Sequence, residues 1–598
     1  MNSTMHIITF LFNLLVFLVP LAFFPKTSEL FEFNKIILIY GFTILISAVW
    51  ILECIKRKKI IFRNTQLTIP LLLFLLSQVL ATLFSIDQRT SLLGYYGRFH
   101  GGLLSTVCYV ILYLAFVTFM DKGKTLKLIN TLLISAFIAA IYASLEHFGL
   151  SPSCLLISGN FDVSCWVQDI QARVFGTFGQ PNWLAAYLVS LAPLAWSQAL
   201  RKKSIIYVFL SALLFTTLLF TKSRSGLLGF GFAFFIFWPA VFYLYRKNIK
   251  KILKVFFLTT CYILFTTIFI WNPFVPSSEA PIEGVTESGD IRKIVWQGAI
   301  ELWKQYPILG TGVETFAYSY YETRPVAHNL TSEWNFIYNK AHNEYLNFAA
   351  TTGTIGLASY LILIITSLSI FVKNFQYLKI ESLKLEIAAL CAGYVSILIT
   401  NFFGFSTVPT ALLFFLFPAM AVTVESPPAS ASAQSLRAGR MKLPILLATC
   451  YMLQALARYW LADYYFAKGD IESLEKAVMM VPREAVYHDK LAEEYKDISP
   501  QLAQVQLELS IKLSPRNIKL LKSAASIYDD FGELDSALAI YKKLTVLAPT
   551  DAQVWYSLAL TQVKLGNSDE AKRILLKVFE MKPDYEKAHE LFDILHLP

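Results

Sequence analysis

The stretch NKAHNEYLNFAATTGTIG, residues 339–356, places an imidazole, an amide and a carboxylate together at the start of a long apolar run. His342 is followed directly by Asn343 and Glu344. An unperturbed histidine has a pKa of about 6.5 and can therefore exchange a proton near neutral pH. Asn343 and Glu344 are interpreted as groups that orient His342 or a ligand, with helix capping as the alternative for Asn343. The pattern predicts a general base, His342, at a membrane boundary.

Several basic side chains lie in connections between apolar runs that we assign to the same side of the membrane as His342. The candidates for ligand binding are Arg98, Arg173, Lys222, Arg224 and Arg292. Arginine can hold phosphate oxygens through two parallel hydrogen bonds, and the diphosphate of a lipid would lie at this depth. These residues therefore predict an anionic ligand. The alternative for Arg224 is a cation that only extends from a helix end towards the headgroups.

The composition indicates a polytopic membrane protein. Of the 598 residues, 56% are hydrophobic and 15% are aromatic, which is more apolar surface than a soluble core of this length needs. Apolar runs repeatedly reach the roughly 20 residues that cross a bilayer. The predicted fold class is an all-α bundle of about 12–13 transmembrane helices, with spans near 6–24, 33–54, 68–86, 102–120, 128–149, 181–199, 204–221, 225–245, 252–271, 353–372, 385–403, 407–424 and 443–462.

The distribution of lysine and arginine predicts the orientation of these spans. Each even-numbered span is followed by three to five basic residues, whereas the other connections carry two or fewer, apart from the long one after the ninth span. Short connections rich in Lys and Arg stay in the cytoplasm. The formal charge of +10 is thus explained by topology and gives no reason to expect a nucleic-acid partner. The N-terminus is predicted inside, and His342 and everything after the thirteenth span outside.

The C-terminal part differs from the rest of the chain. Pro482, Pro515, Pro549 and Pro583 recur at intervals of 33, 34 and 34 residues, and Gly532 and Gly566 are also 34 apart. A period of this length is typical of stacked helical hairpins, and residues 464–598 resemble the tetratricopeptide repeat family. The resemblance implies a solenoid whose concave surface binds a protein partner or acceptor. The alternative is that the repeats only cap the membrane body.

The sequence divides into four parts. Residues 1–424 form the membrane-embedded domain with a large external loop at 272–352, and 425–441 form a cytoplasmic linker rich in Ser, Ala and Pro. Residues 442–463 form the thirteenth span, before the repeats. In the long loop, residues 291–316 have apolar positions at helical spacing from Ile291 to Leu302, followed by a proline and a Gly-x-Gly turn, and predict an amphipathic helix on the outer face. Cys154 and Cys165 share another external loop, where a disulfide and two separate thiols are both consistent with the sequence.

Several short motifs recur in one order around the candidate residues. They are GTFGQPN at 176–182, an S-R-G string near 223–226, R-x-x-x-W (Arg292, Trp296), Y-P-x-x-G-x-G (Tyr306 to Gly312), A-H-N-x-Y-L (Ala341 to Leu346) and G-x-x-G-L (Gly353 to Leu357). In this order and spacing, residues 170–420 resemble the O-antigen ligase/O-antigen polymerase superfamily of bacterial integral-membrane glycosyltransferases.

That resemblance implies an activity and roles for the residues. The implied activity transfers a glycan from an undecaprenyl-diphosphate carrier to an acceptor glycan, lipid or protein, outside the bacterial cytoplasmic membrane. Arg224 and Arg292 would hold the donor diphosphate, and His342 would orient or deprotonate the acceptor. Arg173 would be a third basic contact, whereas Arg98 and Lys222 are assigned from sidedness alone. No cofactor or metal is expected, because the external loops contain no D-x-D motif and no phosphate-binding G-x-x-x-x-G-K-[ST].

Two other classes of function remain open at the level of sequence. A lipid or glycan transporter would keep its transport activity after Arg224→Ala or His342→Ala. A noncatalytic membrane scaffold would depend on the repeats alone. The spans hold few ionisable residues near their middles, which argues against an ion-coupled transporter.

Overall fold

The structure is a computed structural model that describes residues 2–271, 286–425 and 442–596. Every regular element in these ranges is helical. The membrane part contains seventeen α-helices: α1 (Asn2–Leu21), α2 (Glu32–Arg57), α3 (Thr68–Leu83), α4 (Gln88–Leu93), α5 (Leu103–Phe119), α6 (Lys122–His147), α7 (Pro152–Ile157), α8 (Pro181–Lys202), α9 (Ile205–Phe220), α10 (Arg224–Leu244), α11 (Ile249–Phe269), α12 (Ser288–Gln305), α13 (Phe316–Thr323), α14 (Glu344–Tyr377), α15 (Glu381–Phe402), α16 (Val408–Glu425) and α17 (Lys442–Phe466).

All thirteen predicted spans coincide with helices. Among the described residues, ten helices are long and apolar enough to cross a membrane. The other three predicted spans correspond to the shorter apolar helices α3, α5 and α9. The predicted fold class is thereby confirmed. The predicted linker falls almost wholly on residues 426–441, which lie outside the described residues.

The centre of the bundle is formed by α8, α15 and α16. Their apolar stretches are buried over 83%, 72% and 89% of their length, against 11% for α11 and α17 at the periphery. A helix that is apolar on all sides can face either other helices or lipid, so hydropathy alone does not separate these two groups. The start of α8 and the end of α15 lie beside the motifs quoted above, so these central helices position the candidate residues.

Eight further helices form the C-terminal solenoid. They are α18 (Ile471–Met480), α19 (Ala485–Tyr495), α20 (Pro500–Leu513), α21 (Ile518–Asp530), α22 (Leu534–Leu547), α23 (Ala552–Lys564), α24 (Ser568–Met581) and α25 (Glu586–Ile594). The pairs α19/α20, α21/α22 and α23/α24 pack as successive hairpins, and α25 follows α24 as the final helix. The predicted turn glycines Gly532 and Gly566 have positive φ values of 77° and 82°. The predicted α-solenoid is confirmed.

The irregular first repeat has a structural explanation. The helix that pairs with α18 is the C-terminal part of α17, which is also the thirteenth predicted span. One helix therefore serves both as a span and as half of a repeat. Its sequence has to remain apolar for the bilayer, which accounts for the poor match to the repeat pattern.

The amphipathic helix predicted in the long loop is present as α12. Helix α12 buries Ile291, Val295 and Leu302 on one face, as its periodicity indicates. The helix ends at Gln305, before the proline, because Pro307 disfavours the helical conformation of the preceding residue.

The Y-P-x-x-G-x-G motif packs against a kink in α14. Gly353 interrupts α14 with φ 64°, and a Cβ at this position would lie 2.3 Å from the backbone carbon of Ile308. The backbone N–H of Thr354 donates to the Pro307 carbonyl at 2.8 Å. Gly310 also has a positive φ, of 66°, so the predicted Gly-x-Gly turn is present. The motif thus fixes the first turns of α14, which begin immediately after His342.

The repeats are docked on the segment that contains α13. The buried Arg324 side chain lies 3.7 Å from the Asp551 carboxylate, and the Thr550 hydroxyl donates to the Arg324 carbonyl at 2.7 Å. The rings of Trp334 and Tyr585 pack with centroids 5.3 Å apart. The repeats and the segment leading to His342 consequently lie on the same side of the bundle. In another loop, Cys154 and Cys165 form a disulfide.

Candidate functional site

A cavity lies at the N-terminal ends of α8, α10 and α12, at the C-terminal end of α15 and beside His342, two residues before α14. We call it the His342 cavity, and its lining includes Arg292, His342, Gln180, Asn182, Trp183, Ser225 and Phe405. The Ser223 hydroxyl, which caps α10, also donates to Asn182 at 2.7 Å and joins the S-R-G string to the GTFGQPN motif. Four separately predicted motifs therefore meet at one cavity.

His342 is held in position by packing. Its φ is 52°, a left-handed conformation that non-glycine residues seldom adopt. Its ring packs edge-on against Tyr338 and Phe405, with centroid distances of 5.7 and 5.6 Å. Within the described part of the chain, neither ring nitrogen has a hydrogen-bond partner. The imidazole is therefore fixed in place with its nitrogens available to a ligand.

Two of the predicted arginines lie near this histidine, and a third lies near one of them. Arg292 lines the cavity directly. The Arg98 guanidinium lies over the rings of Trp183 and Phe405, 5.0 Å from each centroid, and its Nη1 is buried without a hydrogen bond. Arg173 donates from Nε to the Thr221 carbonyl at 3.3 Å, next to the start of α10. Among the described residues, none of the three guanidinium groups forms an ion pair with a carboxylate.

The electrostatics show that these cations share one site. Burial lowers the pKa of Arg173, and the neighbouring Arg292 lowers it further. Burial lowers the pKa of Arg292 and of Arg98 as well. Arginine stays charged in proteins, so these shifts indicate buried positive charge that nearby carboxylates such as Glu32 and Glu333 only partly offset. The His342 cavity is thus suited to an anion.

The expected pKa of His342 is wrong. Burial, followed by the charges of Arg292 and Arg98, lowers the pKa of His342 to about 3. The sequence-based value of about 6.5 assumed a solvated imidazole without neighbouring cations. Without a ligand, His342 is consequently neutral throughout the physiological pH range and is a weaker base than predicted.

Arg224 and Lys222 are more peripheral than predicted. Arg224 is the first residue of α10, directly before Ser225, which lines the cavity. Its side chain is exposed, and no contact joins it to another described residue. Lys222 is exposed as well, with a φ of 48°. The backbone therefore brings both residues to the rim of the cavity but does not direct their side chains into it.

Asn343 and Glu344 do not orient His342. The Asn343 side chain accepts a hydrogen bond from the backbone N–H of Leu346 at 3.1 Å and thereby caps α14. The Glu344 carboxylate faces a second cavity and does not hydrogen-bond to His342. The capping alternative holds for Asn343, and the interpretation that either residue holds the imidazole is wrong.

Strained backbone positions gather around the same site. Of the six described non-glycine residues with positive φ, two end α2 and α8, and the other four are Phe99, Lys222, Glu314 and His342. Such conformations persist only where the surroundings enforce them, and they cluster at functional sites. Phe99 directly follows Arg98. Glu314 pairs with Lys340, and Lys340 lies two residues before His342 in the chain. The strain supports this region as the functional site.

Sequence reasoning missed the aromatic side chains of the site. Trp183 and Phe405 sandwich Arg98, and Tyr338 packs on His342. Trp183 directly follows the GTFGQPN motif, which offered a local signal. Phe405 lies in an aromatic stretch, FFGF at 402–405, where no spacing distinguishes it from lipid-facing phenylalanines. Among the described residues there is also no group of three or more His, Cys, Asp and Glu side chains that could hold a metal ion.

Comparison with known families supports the resemblance seen in the motifs. Residues 208–361 match the O-antigen ligase family, and residues 530–591 match a tetratricopeptide repeat family. The first match contains Arg224, Arg292 and His342. No curated protein matches the chain. The chain is therefore a multi-pass membrane protein that contains a segment similar to the O-antigen ligase family at residues 208–361 and a tetratricopeptide repeat at residues 530–591.

Proposed function

We propose that the protein transfers a glycan from an undecaprenyl-diphosphate-linked donor to an acceptor glycan, lipid or protein at the outer face of the bacterial cytoplasmic membrane. The observation that carries this proposal is the convergence of Arg98, Arg173 and Arg292 on His342, without paired carboxylates. A diphosphate brings negative charge that matches these cations, and its lipid would extend into the bilayer beside α8 and α10.

The arginines would act on the leaving group. When the glycosidic bond to the carrier breaks, the bonding electrons go to the diphosphate oxygen. Fixed cations at the point where this charge develops lower the energy of the transition state. Arg292 and Arg98 lie nearest His342 by their effect on its pKa, so they are assigned to the donor diphosphate. Arg173 is assigned as a third contact, and Arg224 and Lys222 as rim residues that approach the donor when it binds.

His342 would take the proton of the acceptor. The acceptor hydroxyl or amide attacks the anomeric carbon, its proton moves to an imidazole nitrogen, and the bond to the diphosphate breaks. The charges of Arg292 and Arg98 lower the pKa of His342 in the free protein. A bound diphosphate offsets those charges, so donor binding raises the pKa towards the neutral range where a general base is most effective. The base would thereby become active only when a donor is present.

The proposal extends to the other parts of the chain. Residues 1–424 form the catalytic membrane domain, 425–441 a cytoplasmic linker, 442–463 the last span and 464–598 the extracytoplasmic repeats. The repeats contact the membrane part of the protein through Glu484, Ser514, Arg516, Asp551 and Tyr585. The surface of the solenoid outside these contacts would bind a protein acceptor or assembly partner. No metal or nucleotide takes part in the proposed reaction.

The test is reconstitution of the full chain in lipid nanodiscs with a synthetic undecaprenyl-diphosphate oligosaccharide. The donor also serves as the acceptor for polymerisation, and a membrane fraction supplies other acceptors. We expect turnover that survives EDTA and falls at least 100-fold in His342→Ala and Arg292→Ala, the range for loss of a group acting on the transition state. Release of undecaprenyl diphosphate and lengthening of the glycan are both measured.

Matched controls separate catalysis from folding. His147→Ala removes a histidine that stacks on Phe220 outside the cavity, and Arg573→Ala removes an exposed arginine of the repeats. Both variants should keep full turnover. Dependence on a metal, or full activity of His342→Ala and Arg292→Ala, would contradict the mechanism. Movement of intact donor across the membrane without glycan transfer would favour the transporter class instead.

A further inference from the structure

We propose that a second cavity, next to Phe405, binds the acceptor by enclosing a neutral, hydroxylated sugar ring. We call it the Glu344 cavity. This inference rests on the proposed function and names the class of acceptor that the enzyme uses. The polar residues that line the cavity include His100, Glu314, Lys340, Glu344 and Ser406.

The two cavities are separated by the loop between α15 and α16. Phe405 lines the His342 cavity, whereas the next residue, Ser406, lines the Glu344 cavity. The Phe405 ring lies 5.6 Å from the His342 ring and 5.7 Å from Lys340 Nζ, which lies in the Glu344 cavity. His342 itself lies between Lys340 and Glu344 in sequence. A ligand in the Glu344 cavity would therefore be one aromatic ring away from the proposed base.

The polar end contains an unused hydrogen-bonding group. Glu344 is 9% exposed, and its Oε2 is buried without a partner. A buried carboxylate oxygen that lacks a partner loses a strong hydrogen bond unless a ligand supplies one. Glu314, which pairs with Lys340, also lines the cavity. Two carboxyl groups in one lining can accept hydrogen bonds from the hydroxyls of one sugar ring.

The deep end of the cavity is aromatic. Tyr109 and Phe415 stack with centroids 5.4 Å apart, and Phe348 and Tyr360 lie 4.4 Å apart. Phe414 packs on Tyr360 at 5.5 Å, and all of these residues line the cavity. The C–H groups on the face of a sugar ring carry partial positive charge and pack well on the negative faces of aromatic rings. The carboxyl groups of the lining can thus bind the hydroxyls of a sugar, and the aromatic rings can pack on its apolar face.

The charges favour a neutral ligand. The titratable groups that face the cavity are Glu314, Lys340, Glu344, His100, Tyr109 and Tyr360. Lys340 already pairs with Glu314, so it is not free to hold a phosphate, and its charge disfavours a cation. The His100 ring nitrogens lie within hydrogen-bonding distance of the Ser406 carbonyl, at 3.2 Å, and of the Tyr109 hydroxyl, at 3.3 Å. Burial, more than Lys340 and Arg98, lowers the pKa of His100 to about 3, so this ring adds no charge.

The two cavities together account for the complete transfer. The diphosphate end of the donor occupies the His342 cavity, and the acceptor sugar occupies the Glu344 cavity. Displacement of the Phe405 ring lets an acceptor hydroxyl reach the anomeric carbon. The oxygen forms the new glycosidic bond, its proton goes to His342, and the diphosphate leaves with the bonding electrons.

The test uses photoreactive lipid probes on the full chain in nanodiscs. One probe is an alkyl glucoside with a diazirine on the first carbon of the chain, and two matched probes replace the sugar by a trimethylammonium or a phosphate group. We expect only the glucoside to label peptides of α5, α14 and α16. In Glu344→Gln and Glu314→Gln, the glucoside concentration that gives half-maximal labelling should rise about tenfold or more, the usual effect of losing a hydrogen bond to a charged group. Glu301→Gln, an exposed acid of α12, is the control.

The possible outcomes decide between the proposals. Binding of undecaprenyl diphosphate, measured on each variant, reports whether the variant is folded, and labelling of the wild-type protein does not depend on any variant. Glucoside labelling outside α5, α14 and α16, equal labelling of all variants, or labelling of this cavity by the ammonium or phosphate probe overturns the inference. Absence of glycan transfer by the wild-type protein counts against the proposed function, whereas transfer combined with labelling elsewhere overturns only the acceptor cavity.

Discussion

The pH dependence of the free enzyme gives the sharpest test of the His342 cavity. Burial and the two nearby arginines lower the pKa of His342 to about 3. A general base must be deprotonated to act, so its activity is lost only when the pH falls below its pKa. We expect kcat/KM for the donor, which reports on the free enzyme, to stay flat between about pH 5 and pH 8.

The size of the effect distinguishes this pKa from an ordinary one. At an ordinary pKa of about 6.5, roughly 76% of the imidazole is deprotonated at pH 7 and about 3% at pH 5, so kcat/KM would fall about 25-fold. With the lowered pKa of about 3, about 99% is deprotonated at pH 5, and the fall is negligible. In the donor complex the diphosphate offsets the arginine charges, so kcat should decline at a higher pH than kcat/KM does.

The assay is release of undecaprenyl diphosphate in nanodiscs, followed over this pH range at limiting and at saturating donor. Arg292→Lys keeps a positive charge, and His147→Ala removes a histidine outside the cavity, so both should leave the flat kcat/KM profile unchanged. A 25-fold fall in kcat/KM between pH 7 and pH 5 in the wild-type protein, absent from His342→Ala, would refute the reasoning. It would mean that solvent or a counterion reaches the imidazole in the free enzyme.

Three further results are expected. Arg292→Ala should lower kcat/KM by about 100- to 1,000-fold. Arg292→Lys should retain only part of the wild-type kcat/KM, because lysine cannot form two parallel hydrogen bonds to a phosphate, and equal activity of the two variants would contradict the assignment. Asp551→Asn leaves the buried Arg324 without this counterion and should lower the free energy of unfolding by about 3 kcal/mol. The melting temperature of the repeats in scanning fluorimetry should fall, whereas an unchanged transition would show that the docking is loose. Gly353→Ala meets backbone at 2.3 Å and should lower both stability and glycan transfer, while Gly231→Ala, with open space around the new Cβ, should be neutral.

Much of the architecture could be predicted because its signals are local. Each span is a continuous apolar run, and each coincides with a helix. The 34-residue spacing of Pro515, Pro549 and Pro583 follows from the length of one helical hairpin, so it predicted the solenoid. The first repeat was the weakest part of this prediction, because one of its helices is α17, whose composition is determined by lipid.

The residue types of the site were also readable, but their arrangement was not. Arginine and histidine on one side of a membrane predict phosphate chemistry from the properties of the side chains alone. Asn343 and Glu344 are adjacent to His342 in sequence, yet one caps a helix and the other faces a different cavity. The direction of a side chain depends on the backbone conformation at its own position, and the φ of 52° at His342 turns the chain there.

What the sequence determined by itself is the class of protein: membrane helices, a helical repeat and a set of basic residues with one histidine, each encoded by neighbouring residues or by a fixed period. What only the tertiary structure decided is the site, where Arg98, Arg173 and Arg292 meet at His342 from three separate segments, and where Trp183 and Phe405 hold the Arg98 guanidinium. The pKa of an imidazole depends on burial and on charges through space, and neither is a property of residues that are close in the chain.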